Sequence, residues 1–366
     1  MRNTLMGRPV DDIDMASQLV PEAVMQALEA ASIRAIPTGL EHGTITALVD
    51  GQPFEITSLR RDVETDGRRA VVAFTEDWNE DAMRRDFRLN ALYATPDGTL
   101  FDPTGGGLDD ARAGRVIFIG DAEARLREDY LRILRFFRFN AWYGAEIDPV
   151  GLQACANLAT GLEAIARERI WKELKKLLLA PAPETALEAM NLTDVFAQIL
   201  PGPVAMDRLH DLRLSEHLVG CAPDPMLRLM ALIERSASSI QATSQALRLS
   251  NEETARLTMW AADNLPEVTG MRAVELRATL FWHGVQAVSD RAMLSGQDVR
   301  DILAAIRAWR RPDFPINGDD ALAIGLKGPQ IGRALSRVAQ DWVASDFSLE
   351  REALLARLAD VEAPDR

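Results

Sequence analysis

The octet Val10-Asp11-Asp12-Ile13-Asp14-Met15-Ala16-Ser17, just after the turn Gly7-Arg8-Pro9, sets the reading of everything around it. Its apolar and acidic residues alternate, the pattern of a short strand in which side chains two apart share a face. Asp12 and Asp14 then point one way, while Ile13 and Met15 point the other way into a core. Two adjacent carboxylates repel each other unless a cation sits between them. Hard divalent ions are held by one or two carboxylates plus substrate phosphates. The pair therefore suggests a metal site for phosphate chemistry. The competing reading is an exposed, polar strand edge.

Outward from this octet the first segments mix strand and helix. Met1 to Met6 reads as the end of a helix stopped at Gly7. Pro21 opens a helix to Ser32, with Val24, Ala27, Leu28 and Ala31 on one face. Gly43 to Val49 and Phe54 to Leu59 alternate around Asp50-Gly51, a strong hairpin signal. Glu55 faces opposite to Phe54 and Ile56, and beside the acidic pair it is a candidate third carboxylate. Arg60 to Arg69 is charged and reads as a mobile loop. Asp97-Gly98 turns the chain into Leu100-Phe101, Gly105 to Gly107 is a loop, and Val116 to Ile119 a last short strand.

After Gly120 the helical period takes over. Asp121 caps a helix expected to run unbroken to Tyr143, before Gly144. Thr160–Leu179, Glu184–Leu200, Pro225–Ile233, Glu252–Asn264 and Ser348–Leu358 follow the same period, with no further strand signal and no fixed repeat. The fold expected is α+β: a small mixed α/β head over 1–120, then an elongated all-α remainder, divided into 121–200 and 201–366.

At 366 residues the chain can build two or three packed units. No apolar run reaches the ~18–20 residues of a membrane span, and the first residues lack a secretory apolar segment. Cys155 and Cys221 form no zinc spacing and no disulfide framework, so the cytoplasm is the expected compartment. A net charge of −14 excludes a protein that coats nucleic acid with its whole surface, yet leaves room for a local basic patch. Over 165–180, Arg167, Arg169, Lys172, Lys175 and Lys176 outnumber Glu168 and Glu173, which makes this stretch the candidate RNA-facing patch. A solvated helix face is the plainer reading. The scattered histidines His42, His210, His217 and His283 give no hydrolase constellation.

The second informative stretch is Arg127 to Arg138, in which Asp129, Arg132, Arg135 and Arg138 recur every three residues. Each such step falls about 60° short of a helical turn, so the arginines wind round the helix. Asp129 and Arg132 are spaced to act together, and Arg135 and Arg138 would address something further round, such as a triphosphate or an RNA backbone. A carboxylate only accepts and a guanidinium only donates. A fixed pair of them matches the amino-donor and ring-acceptor edge shared by cytosine and adenine, and rejects uracil and guanine. Ion pairing along a helix surface is the alternative.

Together these motifs resemble the class II CCA-adding tRNA nucleotidyltransferases and the related bacterial poly(A) polymerases. The resemblance is carried by Gly7 to Asp14, Glu41-His42-Gly43-Thr44, Glu55-Ile56-Thr57, Asp66-Gly67-Arg68, Arg84 to Ala91, Asp102 to Gly106 and Glu128 to Arg135. It implies a nucleotidyltransferase head, a neck bearing the nucleotide-selecting helix, and a tRNA-binding body and tail. It implies template-independent addition of CCA to the tRNA 3′ end from CTP and ATP. Asp12 and Asp14 would bind Mg²⁺, with Glu55 a possible third carboxylate. Arg2, Arg85, Asp86, Asp129, Arg132, Arg135 and Arg138 would bind or select the nucleotide. Alternatives are a poly(A) polymerase, a partial CC- or A-adding enzyme, an inactive RNA-binding relic and an antibiotic-modifying nucleotidyltransferase. The long helical body and the Glu128-Asp129-x-x-Arg132 helix speak against the last.

Two departures from the family pattern stand out. Position 88 is Arg where Thr is common. The family's first strand and Gly-Gly turn precede the residue equivalent to Arg2, and this chain begins one residue before it. A GTG codon encodes Val internally or Met at a start, so an upstream in-frame extension of roughly 25–35 codons is expected. Without it, an unpaired strand edge and a weakened triphosphate site are expected. No motif sets an oligomeric state.

Overall fold

A computed structural model describes residues 1–10, 13–65 and 70–360. Of the acidic octet, Asp11 and Asp12 lie outside the described residues, as does the Asp66-Gly67-Arg68 motif. The chain divides into two compact units. One comprises Met1–Val204 with Ala242–Leu249; the other comprises Ala205–Gln241 with Ser250–Arg366.

The first unit begins with α1 (Arg2–Leu5), β1 (Asp14–Ser17) and α2 (Pro21–Ala30). β2 (Arg34–Gly39), β3 (Thr44–Val49) and β4 (Gln52–Ser58) complete a sheet of order β1-β4-β3-β2. Asp50 and Gly51 both have positive φ, 52° and 79°, the two-residue turn that suits the right-handed strand twist. β1 runs parallel to β4 with Asp14 paired to Glu55, and β3 runs antiparallel to β4 with Thr46 opposite Glu55. The octet's strand begins only at Asp14, and Ile13 and Met15 do not enter the core: they are 57% and 40% exposed. β1 stands at the sheet edge, whereas the buried centre is at Ile45 on β3. β2 was not legible because Pro37 interrupts it. Proline is tolerated here because the strand is an edge with an irregular register between Ile36 and Gly39.

Where a loop is expected over 60–69, Arg60–Thr65 is instead a strand, β5, paired with β6 (Ala70–Phe74); residues 66–69 lie outside the described residues. A two-stranded ribbon closes through backbone bonds, so apolar alternation, the sequence signal for a strand, is not required of it. Next come α3 (Trp78–Met83), the short pair β7 (Tyr93–Ala94) and β8 (Leu100–Phe101), and α4 (Gly107–Ala113). The expected strand Val116–Ile119 is an extended segment with a single bridge, Phe118 to Phe87. Its partner turns at once into a 3-10 turn over Arg88–Asn90, so no ladder can grow. The segment still pins the backbone at Asp86 and Arg88, through Ile119 N–H to Asp86 O at 3.1 Å and Arg88 N–H to Ile117 O at 3.0 Å.

The unbroken helix expected over 121–143 is two helices, α5 (Ala122–Glu128) and α6 (Leu131–Tyr143). Asp121 caps the first, accepting Ala124 N–H at 2.7 Å. Asp129 leaves the helical region (φ −154°, ψ 104°), and its carboxylate accepts Leu131 N–H at 3.0 Å, capping the second. The Tyr130 ring fills the bend against Gly161, where a Cβ would lie 2.1 Å from a ring atom. α7 (Pro149–Asn157) packs on α5, α8 (Arg167–Leu178) and α9 (Glu184–Leu192) pack on α6, and α10 (Val195–Ile199) packs on α9. Phe87, Phe118, Phe136 and Phe139 interlock at the centre, with Phe118 stacked on Phe136 at 5.4 Å.

The second unit is helical: α11 (Met206–Val219), α12 (Pro225–Leu232), α14 (Asn251–Ala261), α15 (Ala273–Met293), α16 (Arg300–Ala308), α17 (Gly318–Ala323), α18 (Pro329–Ala344) and α19 (Arg351–Asp360). α13 (Ala237–Leu247) is shared between the units. Arg228, wholly buried, grips Glu216 through two bonds of 3.0 and 2.7 Å. Phe281, Trp342 and Phe347 anchor a core drawn from α15, α17, α18 and α19. Among the described residues no helix is long and apolar enough to cross a membrane.

Candidate active site

The sheet sets two acidic side chains side by side. Asp14 and Glu55 are register partners on adjacent strands, so they project from one face of the sheet, and both are exposed. Among the described residues no cluster of three potential metal ligands forms. Two hard oxygen donors on one rigid face, open to solvent, are nevertheless a fitting base for a hard cation that takes its remaining ligands from phosphates and water.

A second cluster is built by α1, the 84–90 segment and α6. Asp86 is buried at 6% exposure, and accepts from Arg135 Nε at 2.7 Å, Asn90 Nδ2 at 3.0 Å and Phe87 N–H at 2.9 Å. Burial alone raises this carboxyl. The Arg135 charge and the three donors outweigh it and hold Asp86 below the usual carboxylate range. Arg2 reaches the same place from α1, donating to Asn90 Oδ1 and, at 2.8 Å, to the Tyr143 hydroxyl. The guanidiniums of Arg2, Arg135 and Arg138 lie 5.1, 5.5 and 4.6 Å from the centroid of one ring, Phe139. Arg138 is also paired with the buried Glu173 of α8 at 3.0 Å. Arg85 is held by Asp81 at 3.0 Å and by the Asn90 carbonyl at 3.2 Å, over the Tyr93 ring.

The expected Asp129–Arg132 pair is not made as a direct bond. The bend between α5 and α6 separates their partners. Asp129 accepts from Arg169 at 2.8 Å, and Arg132 bonds Glu128 at 2.5 Å and the Arg125 carbonyl at 2.7 Å. Glu128 also takes Arg125, which donates to the carbonyls of Arg84 and Arg85 at 2.6 and 2.5 Å. Arg132 is thus tied, through Glu128 and Arg125, to the segment that carries Asp86, whereas Asp129 is tied to α8.

On α8 the five basic residues split. Arg167 is spent on the Gln198 carbonyl at 3.1 Å and Arg169 on Asp129. Lys175 lies half-buried, 5.0 Å from the Trp171 ring centroid, while Lys172 and Lys176 are exposed. Burial, with Arg138 nearby, lowers the Lys176 ammonium.

The sequence reading gave no role to Asp81, Asn90, Glu128, Phe139 or Tyr143. Asp81 and Glu128 had a signal, each standing three or four residues from the arginines they hold: Asp81 before Arg84 and Arg85, Glu128 between Arg125 and Arg132. Phe139 and Tyr143 had none beyond their place on an apolar helix.

The chain is similar to known proteins over nearly its whole length. Residues 1–117 match the family described as "Poly A polymerase head domain", and residues 144–206 match "Probable RNA and SrmB- binding site of polymerase A". Mitochondrial CCA tRNA nucleotidyltransferase 1 of Homo sapiens is 33% identical over 374 residues, covering 97% of this chain and 84% of the relative. The CCA-adding enzyme of Leuconostoc citreum is 29% identical over 367 residues, covering 97% of this chain and 89% of the relative. The crystal structure of the Bacillus stearothermophilus CCA-adding enzyme in complex with CTP superposes with a TM-score of 0.79 at 25% identity, over 98% of this chain and 91% of that one. With a third of its residues shared across nearly its whole length, this chain belongs to the CCA tRNA nucleotidyltransferase family.

Proposed function

We infer that the chain adds CCA to the 3′ end of tRNA without a template, using CTP and ATP and releasing pyrophosphate. The observation that carries this reading is the 33% identity running through 97% of the chain, helical body included, to a CCA tRNA nucleotidyltransferase. A head alone would serve a poly(A) polymerase equally well. In the reaction the terminal 3′-OH attacks the α-phosphate and the bond to the β-phosphate breaks. The family is metal-dependent, and Mg²⁺ is the proposed ion, with Asp14 and Asp12 as ligands and Glu55 as a third carboxylate. When bound, such an ion polarises phosphoryl oxygens and offsets their developing charge. Arg2, Arg135 and Arg138 bind the nucleotide, with Arg85 and Asp86 ordering its pocket. The basic face of α8 meets the tRNA. The proposed division of labour is a head over 1–120, a neck over 121–200, and a body and tail over 201–366. The proposed compartment is the cytoplasm, where free thiols such as Cys155 and Cys221 persist.

The test offers tRNAs ending before, within and after CCA, with labelled CTP, ATP, UTP or GTP, followed by sequencing of the products. CCA completion is expected. Runs of A, or addition of C or A alone, would overturn the reading.

The same assay examines the base readers. Asp129 keeps acceptor capacity beyond the Arg169 and Leu131 bonds, and Arg132 keeps its Nε–H, so both can face a base. Asp129→Ala and Arg132→Ala are expected to slow incorporation and to relax discrimination against UTP and GTP by roughly tenfold, the order of one good hydrogen-bonded contact. An equal loss for all four nucleotides would make the pair structural.

For α8, Lys172→Glu with Lys176→Glu removes the two exposed ammoniums. A tRNA KM about tenfold higher is expected, with a salt dependence shallower by about 1.5 in log–log slope. An unchanged KM would move the tRNA footprint elsewhere.

A further inference from the structure

The arginines gathered at Phe139 differ in what holds them. Arg135 is paired with Asp86 and Arg138 with Glu173, so each has a carboxylate partner. The described partners of Arg2 are all neutral: Asn90 Oδ1, Asn3 Oδ1 at 3.2 Å, and the Tyr143 hydroxyl at 2.8 Å. Its guanidinium also lies 4.0 Å from the centroid of the Tyr143 ring, a cation–π distance. Arg8 approaches the same ring at 5.1 Å.

Asn90 is suited to this position by its two ends. Its oxygen takes Arg2 and its Nδ2 donates to Asp86 at 3.0 Å, so one amide joins Arg2 to the Asp86–Arg135 pair. A carboxylate at 90 would face Asp86, and an apolar residue would leave both neighbours short of a bond. The ring and hydroxyl of Tyr143 fix the guanidinium plane from α6. The cradle immobilises Arg2 without giving it a hydrogen-bonded carboxylate among the described residues; Asp86 acts on it only at longer range.

We propose that Asn90 and Tyr143 are positioning residues, a neutral cradle that aims Arg2 at the triphosphate of the incoming nucleotide. This rests on the reading of Arg2 as a nucleotide contact. The phosphates supply the negative charge that the cradle withholds, and the hydrogen bonds remove the freedom the arginine would otherwise lose on binding.

The test uses the full chain with Tyr143→Phe, Tyr143→Leu, Arg2→Ala and the double variant Arg2→Ala/Tyr143→Leu, with tripolyphosphate as a base-free competitor. Tyr143→Phe keeps the ring and drops the hydroxyl; about a threefold rise in KM for both CTP and ATP is expected. Tyr143→Leu removes both contacts, and about a tenfold rise is expected. Tripolyphosphate inhibition should weaken by the same factors. The tRNA KM, kcat and the preference for C and A over U and G should stay put, which a general loss of structure would not allow. The double variant should be no worse than Arg2→Ala, since a cradle without its arginine has no function. Additive losses, or normal KM in both Tyr143 variants beside a raised KM in Arg2→Ala, would overturn the cradle. A silent Arg2→Ala would overturn the reading of Arg2 itself, and the cradle with it. Tyr143→Phe keeps the test decisive if Tyr143→Leu does not fold.

Discussion

Replacing Asp14 with alanine is expected to abolish incorporation of both CTP and ATP, by about 10³-fold or more, while tRNA binding persists. Asp14 sits on the first residue of β1, in register with Glu55, and both are exposed on one sheet face. As a proposed ligand to the ion, its carboxylate matters for charge that develops as the phosphoryl group transfers. Losing several kcal/mol of such stabilisation corresponds to this factor. The fold should survive, because Asp14 lies at an exposed edge and contributes little to the core. The measurements are single-turnover incorporation, a filter-binding titration with tRNA, and a thermal melt. Near-normal turnover with an intact melt would remove Asp14 from the chemistry. Loss of tRNA binding in parallel would point to a structural role instead.

Asp86→Ala is expected to be the more destructive for stability. It deletes the buried half of an ion pair and leaves Arg135 without its paired carboxylate, with Asn90 short of its acceptor. Breaking a buried pair costs roughly 3–5 kcal/mol, and because Arg135 keeps 33% of its side chain exposed the lower end applies. About 3 kcal/mol corresponds to a melting temperature lower by about 6–12 °C for a unit of this size. The pH dependence has a definite sign. The folded Asp86 carboxyl lies below its ordinary range, so its stabilising contribution is fully present above about pH 4–5 and drains away as acid protonates the folded form. The gap between wild type and Asp86→Ala should therefore be full at pH 7 and shrink below about pH 4. Equal melting at pH 7, or a gap that widens in acid, would show that Arg135 does not depend on Asp86.

What could be read from the residues was local and periodic. Asp50-Gly51 announced its hairpin because a turn with two positive φ angles needs such residues. The helical body announced itself by period. What failed depended on partners distant in the chain. Asp129 looks like a mid-helix residue beside Arg132, yet it ends one helix and caps the next, since Tyr130 must seat its ring against Gly161. Charged Arg60–Thr65 carries no core-facing alternation, yet the backbone pairs it with Ala70–Phe74. Ile13 and Met15 obey the alternation but sit at a sheet edge, where alternation does not guarantee burial. Asn90 and Tyr143 matter through their contacts with Arg2, and no spacing rule joins positions 2, 90 and 143.

Those separations have a consequence for biosynthesis. Arg2 bonds residues 88 and 141 positions further along the chain. At ~5–20 residues per second, a ribosome needs about 7–28 s after making Arg2 to deliver Tyr143. The β3–β4 hairpin can close long before that. For those seconds the arginine lacks the distant partners that hold it. A chain released before position 143 can fold its strands but can never set that arginine in place.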